Sequence, residues 1–573
     1  MSLDLVTLAL VQKRVDHVAE RMGQVMLRTA RSPIFNQSHD FSCFLTDDRG
    51  RLVSQADGIP IHTGGGGLIV EALLKSFDDI QDGDVFISSD PYVAGGNHLP
   101  DWVISRPVFV DGALFAFACN RAHQSDIGGG VAGTYNPAAT EIFHEGIRLP
   151  PLRLVERGML RKDLWQLLLL NCRCPDMLEG DLQAMLGSTE IGTELMRTMA
   201  ADLGPRDRLR YLDGILDYAE RRMRHAISEL PDGVYVGAEM TDNDCFTAQE
   251  IWIRVTMTKK GDTLEVDYTG TDPQMKGFKN SSVSNTRSAT YVAVTSFLDP
   301  EIPRNEGTYR CITIKAPLGS VLNPRPPAPM TMCTVLPAHE IIHACWIALA
   351  KAAPERACAG WGKISHCNMA GPTPTGSTYV MYHWGALPAA GAVDGRDGFD
   401  QIGPLNSLGK LIVPNCETYE QLYPVRFLRH ELRSDAAGPG QFRGGAGVDY
   451  AVLVEAEAEY AFRGEGQRTP SGYGVHGGGM GAVGAVEFIR AEGRHWIPPQ
   501  FGTGRVEPCE IRITSPAGGG WGDPKARDPE RVLRDVRDDI VSREAARRLY
   551  GVALTADGLA VNMAETMRLR RTT

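Results

Sequence analysis

Three blocks between Ser89 and Pro151 decide the reading of this chain: SDPYVAGGNHLPD (89–101), RAHQSDIGGG (121–130) and ATEIFHEGIRLPP (139–151). They put three histidines and several carboxylates into one short segment. His98 and Asp101 stand three apart in a turn broken by glycine and proline. The run VISRPVFVDGALFAFAC (103–119) that follows is apolar and strand-like, so it predicts a hairpin that returns His123 toward His98. Two imidazoles and one carboxylate from adjoining strand ends make a three-ligand face. Such a face suits a catalytic metal because it leaves positions open for water or substrate. The plain alternative is a set of polar loop residues with ordinary hydrogen bonds. Gly95 and Gly96 before the first cluster, and Gly128 to Gly130 after the second, argue against it, since they let the backbone bend tightly and approach a ligand.

Longer blocks carry a resemblance. DPY…GG.HLPD at Asp90–Asp101, RAH..DIGG at Arg121–Gly129 and ATEI..EG.R.PP at Ala139–Pro151 are followed by N.R.P….GDL at Asn171–Leu182. Then come IP.N.G..R at Ile302–Arg310, GPG.FRGG at Gly438–Gly445 and SPAGGGWGDPKARDPERVLRDV from Ser515. In this order they resemble the hydantoinase B/oxoprolinase family, whose relatives include subunits of ATP-dependent hydantoinases and lactamases and of acetone and acetophenone carboxylases. The resemblance covers nearly the whole chain. It implies a metal held by His98, Asp101 and His123, with Asp40 of the DFSC element as a further ligand and His144 as a weaker candidate. Zinc, iron or manganese suits such a donor set better than calcium or magnesium. Asp126 and Glu145 are the candidate catalytic bases, or else orient the ligands.

The resemblance further implies the B-type subunit of an ATP-dependent cyclic-amide hydrolase, working on a hydantoin, lactam or 5-oxoproline-like ring. A separate A-type subunit would bind ATP and phosphorylate the amide oxygen, which makes a hetero-oligomer. The rival implication is a carboxylase subunit of the acetone or acetophenone type. Two departures from the family text stand out. Gln124 replaces a histidine found in many relatives, and Met330–Ala338 lacks an arginine often found near Met332 or Cys333.

Composition agrees with a soluble, acidic chain: 573 residues, 23% charged, 43% hydrophobic, formal net charge -11. There is no basic stripe of the kind a dedicated nucleic-acid binder shows. No uninterrupted apolar run approaches the roughly 20 residues that span a bilayer. The start, MSLDLVTLALVQKRVDHVAE, does not read as a signal peptide, so the cytoplasm is the expected compartment. Twelve scattered cysteines without a CxxC pair read as reduced thiols. Cys172 and Cys174 lack the second pair a structural zinc site needs.

Along the chain, Leu8, Val11, Val15, Val18, Met22 and Val25 alternate steps of three and four and predict an amphipathic helix over 3–30. His62, before the Gly64–Gly67 run, reads more readily as a packed histidine than as a site residue. Four regions are expected: metal-binding (1–151), helical (152–230), mixed α/β (231–354) and a glycine-dense, largely β region (355–573). EIWIRVTM and TLEVDYTGT alternate at period two in the third. In the fourth, GPGQFRGGAG, GYGVHGGGMGAVGA and SPAGGGWGD read as tight β corners rather than anion cradles. None of the three is a nucleotide-binding GxxxxGK[ST] loop. The fold class is therefore α+β, with several subdomains and mixed sheets. One motif competes for the metal: His339-Glu340-Ile341-Ile342-His343 spells the HExxH of zinc peptidases, a short pattern that long chains match by chance.

Overall fold

Seven antiparallel strands make the first sheet. They are β1 (Phe41–Asp47), β2 (Leu52–Gly58), β3 (Val85–Ser88), β4 (Asp101–Val110), β5 (Ala113–His123), β6 (Leu152–Glu156) and β7 (Met159–Leu160), in spatial order β2-β1-β5-β4-β3-β6-β7. The computed structural model describes residues 3–373, 376–490 and 492–571. The β4–β5 hairpin turns on Asp111 and Gly112, both left-handed with φ of 53° and 78°. That is the geometry an Asp-Gly pair favours between two strands.

Helices cover both faces of this sheet, which is why β1 is buried at every position and reads as a continuous run. The helix Leu5–Thr29, capped by the Asp4 carboxylate on the Thr7 N–H at 2.7 Å, lies on one face beside the helix Pro175–Leu203. Its inner stripe runs Leu8, Val11, Val15, Val18 and Met22 as expected, then passes to Met26 rather than to Val25. On the other face the helix Gly66–Ser76 packs Ile69, Val70 and Leu73 against Phe44, Phe86 and Phe117. The helical stretch begins at Lys162 rather than directly after Pro151, because β6 and β7 extend the sheet edge first.

The second sheet pairs Gly233–Thr241, Ile251–Lys260 and Thr263–Asp267 antiparallel and adds Ile312–Lys315 in parallel, so it is mixed. Ile251, Ile253, Val255 and Met257 point inward at period two. The segment Thr331–Ala352 reaches membrane-spanning length and mean apolarity, yet 94% of it is buried inside the protein. Its α-helical part, Ala338–Ala352, is a core helix packed against Val283–Leu298 and the second sheet. The C-terminal region holds two antiparallel sheets, of four and five strands, over a shared core that includes Met369, Phe462, Phe488 and Ile511.

The three glycine segments stack on one another. Gly438 N–H bonds to Gly518 O at 2.9 Å, Gly518 N–H to Gly445 O at 3.0 Å, and Gly520 N–H to Gly479 O at 2.9 Å. These amides are spent on neighbouring backbone. A Cβ at Gly518 would lie 1.8 Å from the Ala390 carbonyl oxygen, and one at Gly519 would lie 1.9 Å from that of Tyr473. Glycine is needed there for close approach of chains rather than for a turn.

Gly518→Ala is therefore expected to cost about 3 kcal/mol or more of stability by forcing backbone apart. Gly112→Ala, left-handed but with nothing within 4 Å of the new carbon, should cost only about 1–2 kcal/mol. Denaturant unfolding of both variants checks this, and the reverse order would refute the stacking argument.

Candidate metal centre

Antiparallel register sets Asp101, the first residue of β4, opposite His123, the last of β5. The His123 N–H in turn bonds to the Asp40 carbonyl at 3.1 Å, just ahead of β1. Three neighbouring strand ends thus deliver Asp40, His123 and Asp101 to one place, and the turn before β4 adds His98. His98 Nε2 lies 2.7 Å from Asp101 Oδ1, and His123 Nδ1 lies 3.3 Å from the same oxygen. The three side chains are almost wholly buried. One ligand atom from each falls within 4.8 Å of the others, and among the described residues this is the group able to hold an ion.

The protons can be placed from the network. His98 Nδ1 donates to the Thr331 carbonyl at 2.5 Å, which leaves Nε2 bare. The Tyr382 hydroxyl donates to Gly133 O at 2.9 Å, so the Thr134 hydroxyl, 3.2 Å away, donates to Tyr382. Thr134 Oγ1 is then free to accept from His123 Nε2 at 3.2 Å. That leaves His123 Nδ1 bare as well. With both imidazoles neutral, two nitrogen lone pairs converge on a carboxylate; without a cation, a proton on His98 Nε2 takes its place, paired with Asp101 Oδ1 at 2.7 Å. Asp101 Oδ2 has no hydrogen-bond partner although it is buried. Such a convergence is what a metal with imidazole and carboxylate ligands requires. The residues present fit a divalent transition metal.

The surroundings favour the neutral form of His123 and His62, and the proton that Asp101 draws to His98 is the one a cation would displace. Burial pushes His123 down to about 4 against the raising pull of Asp101, and the Arg463 guanidinium pushes the same way as burial. Arg463 is itself buried, stacked 3.5 Å over the Tyr135 ring, with Tyr135 parallel to His123. Burial holds His62 down to about 3, aided by Arg121, which donates to the His62 carbonyl at 2.9 Å. Burial is the largest single influence on His98 and lowers it, but the charge of Asp101, the hydrogen bonds to Asp101 and the Thr331 carbonyl, and the charge of Asp40 together outweigh it, and the net shift is upward. Asp101 is held well below the usual carboxylate range, because the surrounding histidines overcome its burial. Asp40 is raised to about 7 by burial and by the charge of Asp101.

A narrow cavity of about 30 Å³ opens over this group, room for an ion and a water or two. His62, Tyr135, Thr334, Val335, Trp384 and the segment 404–411 contribute to its walls. His62 reaches it, with Nε2 3.4 Å from Asp101 Oδ2, so the histidine read as simply packed belongs to the site. Its signal was the glycine run beside it. Trp384, Tyr382 and Arg463 arrive from the C-terminal sheets, and no local motif announced them.

Asp40 lines the cavity, and among the described residues its carboxylate has no hydrogen-bond partner, though it falls outside the three-residue group. Asp126 and Glu145 do not line the cavity. Asp126 accepts from the backbone N–H groups of Gly128, Gly133 and Arg173 and from the Arg173 guanidinium, which ties down the loop that carries Thr134. Glu145 accepts from Met330 N–H at 2.9 Å and Thr331 N–H at 2.7 Å, and so fixes the carbonyl on which His98 rests. Both carboxylates are engaged by backbone N–H groups of segments that hold His98 and Thr134, and neither lines the cavity. His144 accepts from Thr140 N–H on an exposed turn.

The HEIIH motif lies on the helix Ala338–Ala352, apart from this group. His343 Nε2 accepts from Trp361 N–H at 3.1 Å and its Nδ1 meets Glu239 at 3.2 Å, while Glu340 pairs with Lys363 at 3.0 Å. The nitrogens of His343 and the proposed base are thus committed inside the protein.

Comparison with known proteins gives a consistent assignment. The caprolactamase subunit beta of Pseudomonas jessenii is 33% identical over 97% of each chain. The crystal structure of ATP-dependent caprolactamase from the same organism superimposes with a TM-score of 0.93, at 32% identity over 100% of both chains. The acetophenone carboxylase delta subunit of Aromatoleum aromaticum is 26% identical over 97% of this chain and 87% of its own. The family model described as hydantoinase B/oxoprolinase matches residues 4–524, and the chain belongs to that family.

Proposed function

We propose that this chain is the metal-bearing B-type subunit of an ATP-dependent hydrolase of cyclic amides, active with an A-type ATP-binding partner. The observation that carries the reading is the buried convergence of His98 Nε2, His123 Nδ1 and the Asp101 carboxylate, with the far nitrogen of each imidazole held by a carbonyl or a hydroxyl. Greater likeness to the caprolactamase subunit than to the carboxylase subunit favours ring opening over carboxylation. The twelve cysteines are all free, which supports a reducing, cytoplasmic setting.

His98, Asp101 and His123 would hold one zinc, iron or manganese ion. Such an ion supplies Lewis acidity, which brings the pKa of water toward neutrality. An amide carbon resists attack until its oxygen is phosphorylated, and that step belongs to the partner, since this chain has no phosphate loop. Water then adds to the activated carbon and the ring C–N bond breaks, the nitrogen leaving with a proton; the acyl phosphate that remains takes a second water and releases inorganic phosphate and the carboxylate. Asp40 is the carboxylate that faces the cavity without another partner, so we assign it the role of taking the proton from water at its carboxylate oxygen, beside its possible part as a further ligand. His62, held by Ser42 at 2.9 Å, orients Asp101. Tyr135 and Trp384 wall the site from bulk water.

Metal analysis of the purified chain should find about one transition metal, lost in His98→Ala and in His123→Ala. Full occupancy in both variants would end the assignment. Glu340→Gln is expected to retain the metal and the activity of the folded enzyme while losing up to about 3 kcal/mol of stability, because it breaks a buried ion pair. Asp101→Asn should abolish turnover. Loss of activity in the first with retention in the second would move the site to the HEIIH helix. With the partner, ATP and a panel of hydantoins, lactams and 5-oxoproline, ring opening without bicarbonate is expected, and no ATP turnover by this chain alone. Labelled bicarbonate entering a ketone product, with no ring opened, would establish the carboxylase reading instead.

A further inference from the structure

The cavity over the metal ligands has room for about 30 Å³. Even a five-membered ring amide, with six non-hydrogen atoms, needs several times the space of a water. A wall must therefore move before any such ring reaches Asp101. The walls are unequal in how they are tied. His98, His123 and Tyr135 sit on or beside the sheet, and Thr334 and Val335 precede a core helix. The segment Pro404–Leu411 differs: among the described residues each of its hydrogen bonds is internal, Ser407 N–H to Pro404 O, Leu408 N–H to Leu405 O, Lys410 N–H to Ser407 O and Ser407 Oγ to Pro404 O. It is moored only beyond its ends, by Ile402 and Gly403 N–H to Pro388 O and by Ile412 N–H to Ser38 O. Left-handed residues stand at both ends, Gly403 (φ 108°) before it and Leu408 (φ 46°) with Gly409 (φ 79°) near its close. A non-glycine residue held left-handed stores backbone strain. This is a strap with two pivots, closed over the cavity by the burial of Leu405 and Leu411.

One side chain on the strap has no structural use. Asn406 lines the cavity and is only 6% exposed, yet its Oδ1 has no hydrogen-bond partner. A buried carboxamide oxygen left unsatisfied calls for a ligand that supplies a donor. The oxygen of a carboxamide is an acceptor only, so the donor it lacks is one such as the N–H of a ring amide, kept when the amide oxygen is phosphorylated. We propose that the strap 404–411 swings out to admit the O-phosphorylated cyclic amide and that Asn406, closing back with it, accepts at Oδ1 from the ring N–H and selects rings that carry one. This rests on the ring-amide reading above and adds to it a specificity-determining residue. Selection follows because a buried polar group left unpaired penalises the analogue that lacks its partner.

The test uses the chain with its A-type partner, ATP and the ring panel, each ring paired with its N-methyl analogue. Asn406→Ala should keep its metal, raise KM at least about tenfold with a smaller change in kcat, and lose the preference for the N–H ring over the N-methyl one. Asn406→Asp retains an acceptor and should keep part of that preference, which separates recognition from a packing defect. Hydrogen exchange of the wild-type chain, read without any substrate, should find amides 405–411 exchanging at least about tenfold faster than those of 61–65 on another wall. Wild-type KM and preference in Asn406→Ala overturn the role of Asn406 while leaving the ring-amide reading intact. Strap amides as protected as those of 61–65 overturn the opening motion. If no ring in the panel is turned over by the wild-type complex, the ring-amide reading falls, and the role of Asn406 with it.

Discussion

Asp101 and His123 face each other because β4 and β5 pair in one register, and the site depends on that pairing more than on any contact within it. A slip of one residue would turn every side chain of a strand to the opposite face. In a sheet covered by helices on both sides such a slip would also drive polar groups into two cores, so the apolar packing of Val103, Ile104, Phe117 and Ala118 holds the two ligands in place. The left-handed Asp111–Gly112 turn fixes the same register from the far end of the hairpin. Burial that stabilises the sheet and geometry that presents a carboxylate to an imidazole are one constraint seen from two sides.

Around the ligands, polar groups act at one remove. Glu145 holds the Thr331 carbonyl, which sets the His98 ring, while Asp126 holds the loop whose Thr134 sets His123. Metal-binding histidines commonly depend on a partner at the second ring nitrogen to fix the tautomer. Here those partners are an uncharged carbonyl and a hydroxyl, and the positive charge comes from farther back. Arg463 and Arg121 make no ion pair with a carboxylate at close range among the described residues, and their charge is felt by His123 and His62 as a bias toward the neutral form. Guanidinium suits this role because it stays charged when buried.

What could be read from the sequence follows contact distance along the chain. The hairpin, the N-terminal amphipathic helix and the His98–Asp101–His123 grouping depend on neighbours or near neighbours, and periodicity and turn residues report them. Met26 takes the place of Val25 because a step of four after Met22 turns it toward the sheet, where its sulfur accepts from the Asn120 side chain. Asp126 and Glu145 were visible as acids in the right segment. Their function was not, since it depends on Arg173 and on Met330 and Thr331, which meet them only after folding. His62 was legible only as a histidine beside glycines. Trp384, Asn406 and Arg463 lie more than 250 residues from Asp101 and come to the site through the C-terminal sheets, so no local pattern could name them.

The HEIIH helix shows how a motif can be right in letters and wrong in setting. Two histidines one turn apart can share a metal only if their nitrogens and the intervening glutamate face open space. Here Glu340 meets Lys363, His343 meets Glu239 and the Trp361 amide, and close by Lys279 meets Glu465 at 2.9 Å with both groups fully buried. Buried ions of this kind add little net stability, but removing one partner leaves the other stranded, so they fix the arrangement of the segments that supply them. Those segments are the edge of the second sheet at Glu239, the core helix, and the C-terminal strands around Lys363 and Glu465. Thr334 and Val335, just ahead of that helix, form one wall of the metal cavity, and Thr331 takes the His98 hydrogen bond. The charge cluster that occupies the peptidase-like motif thus locks in place one wall of the candidate metal site.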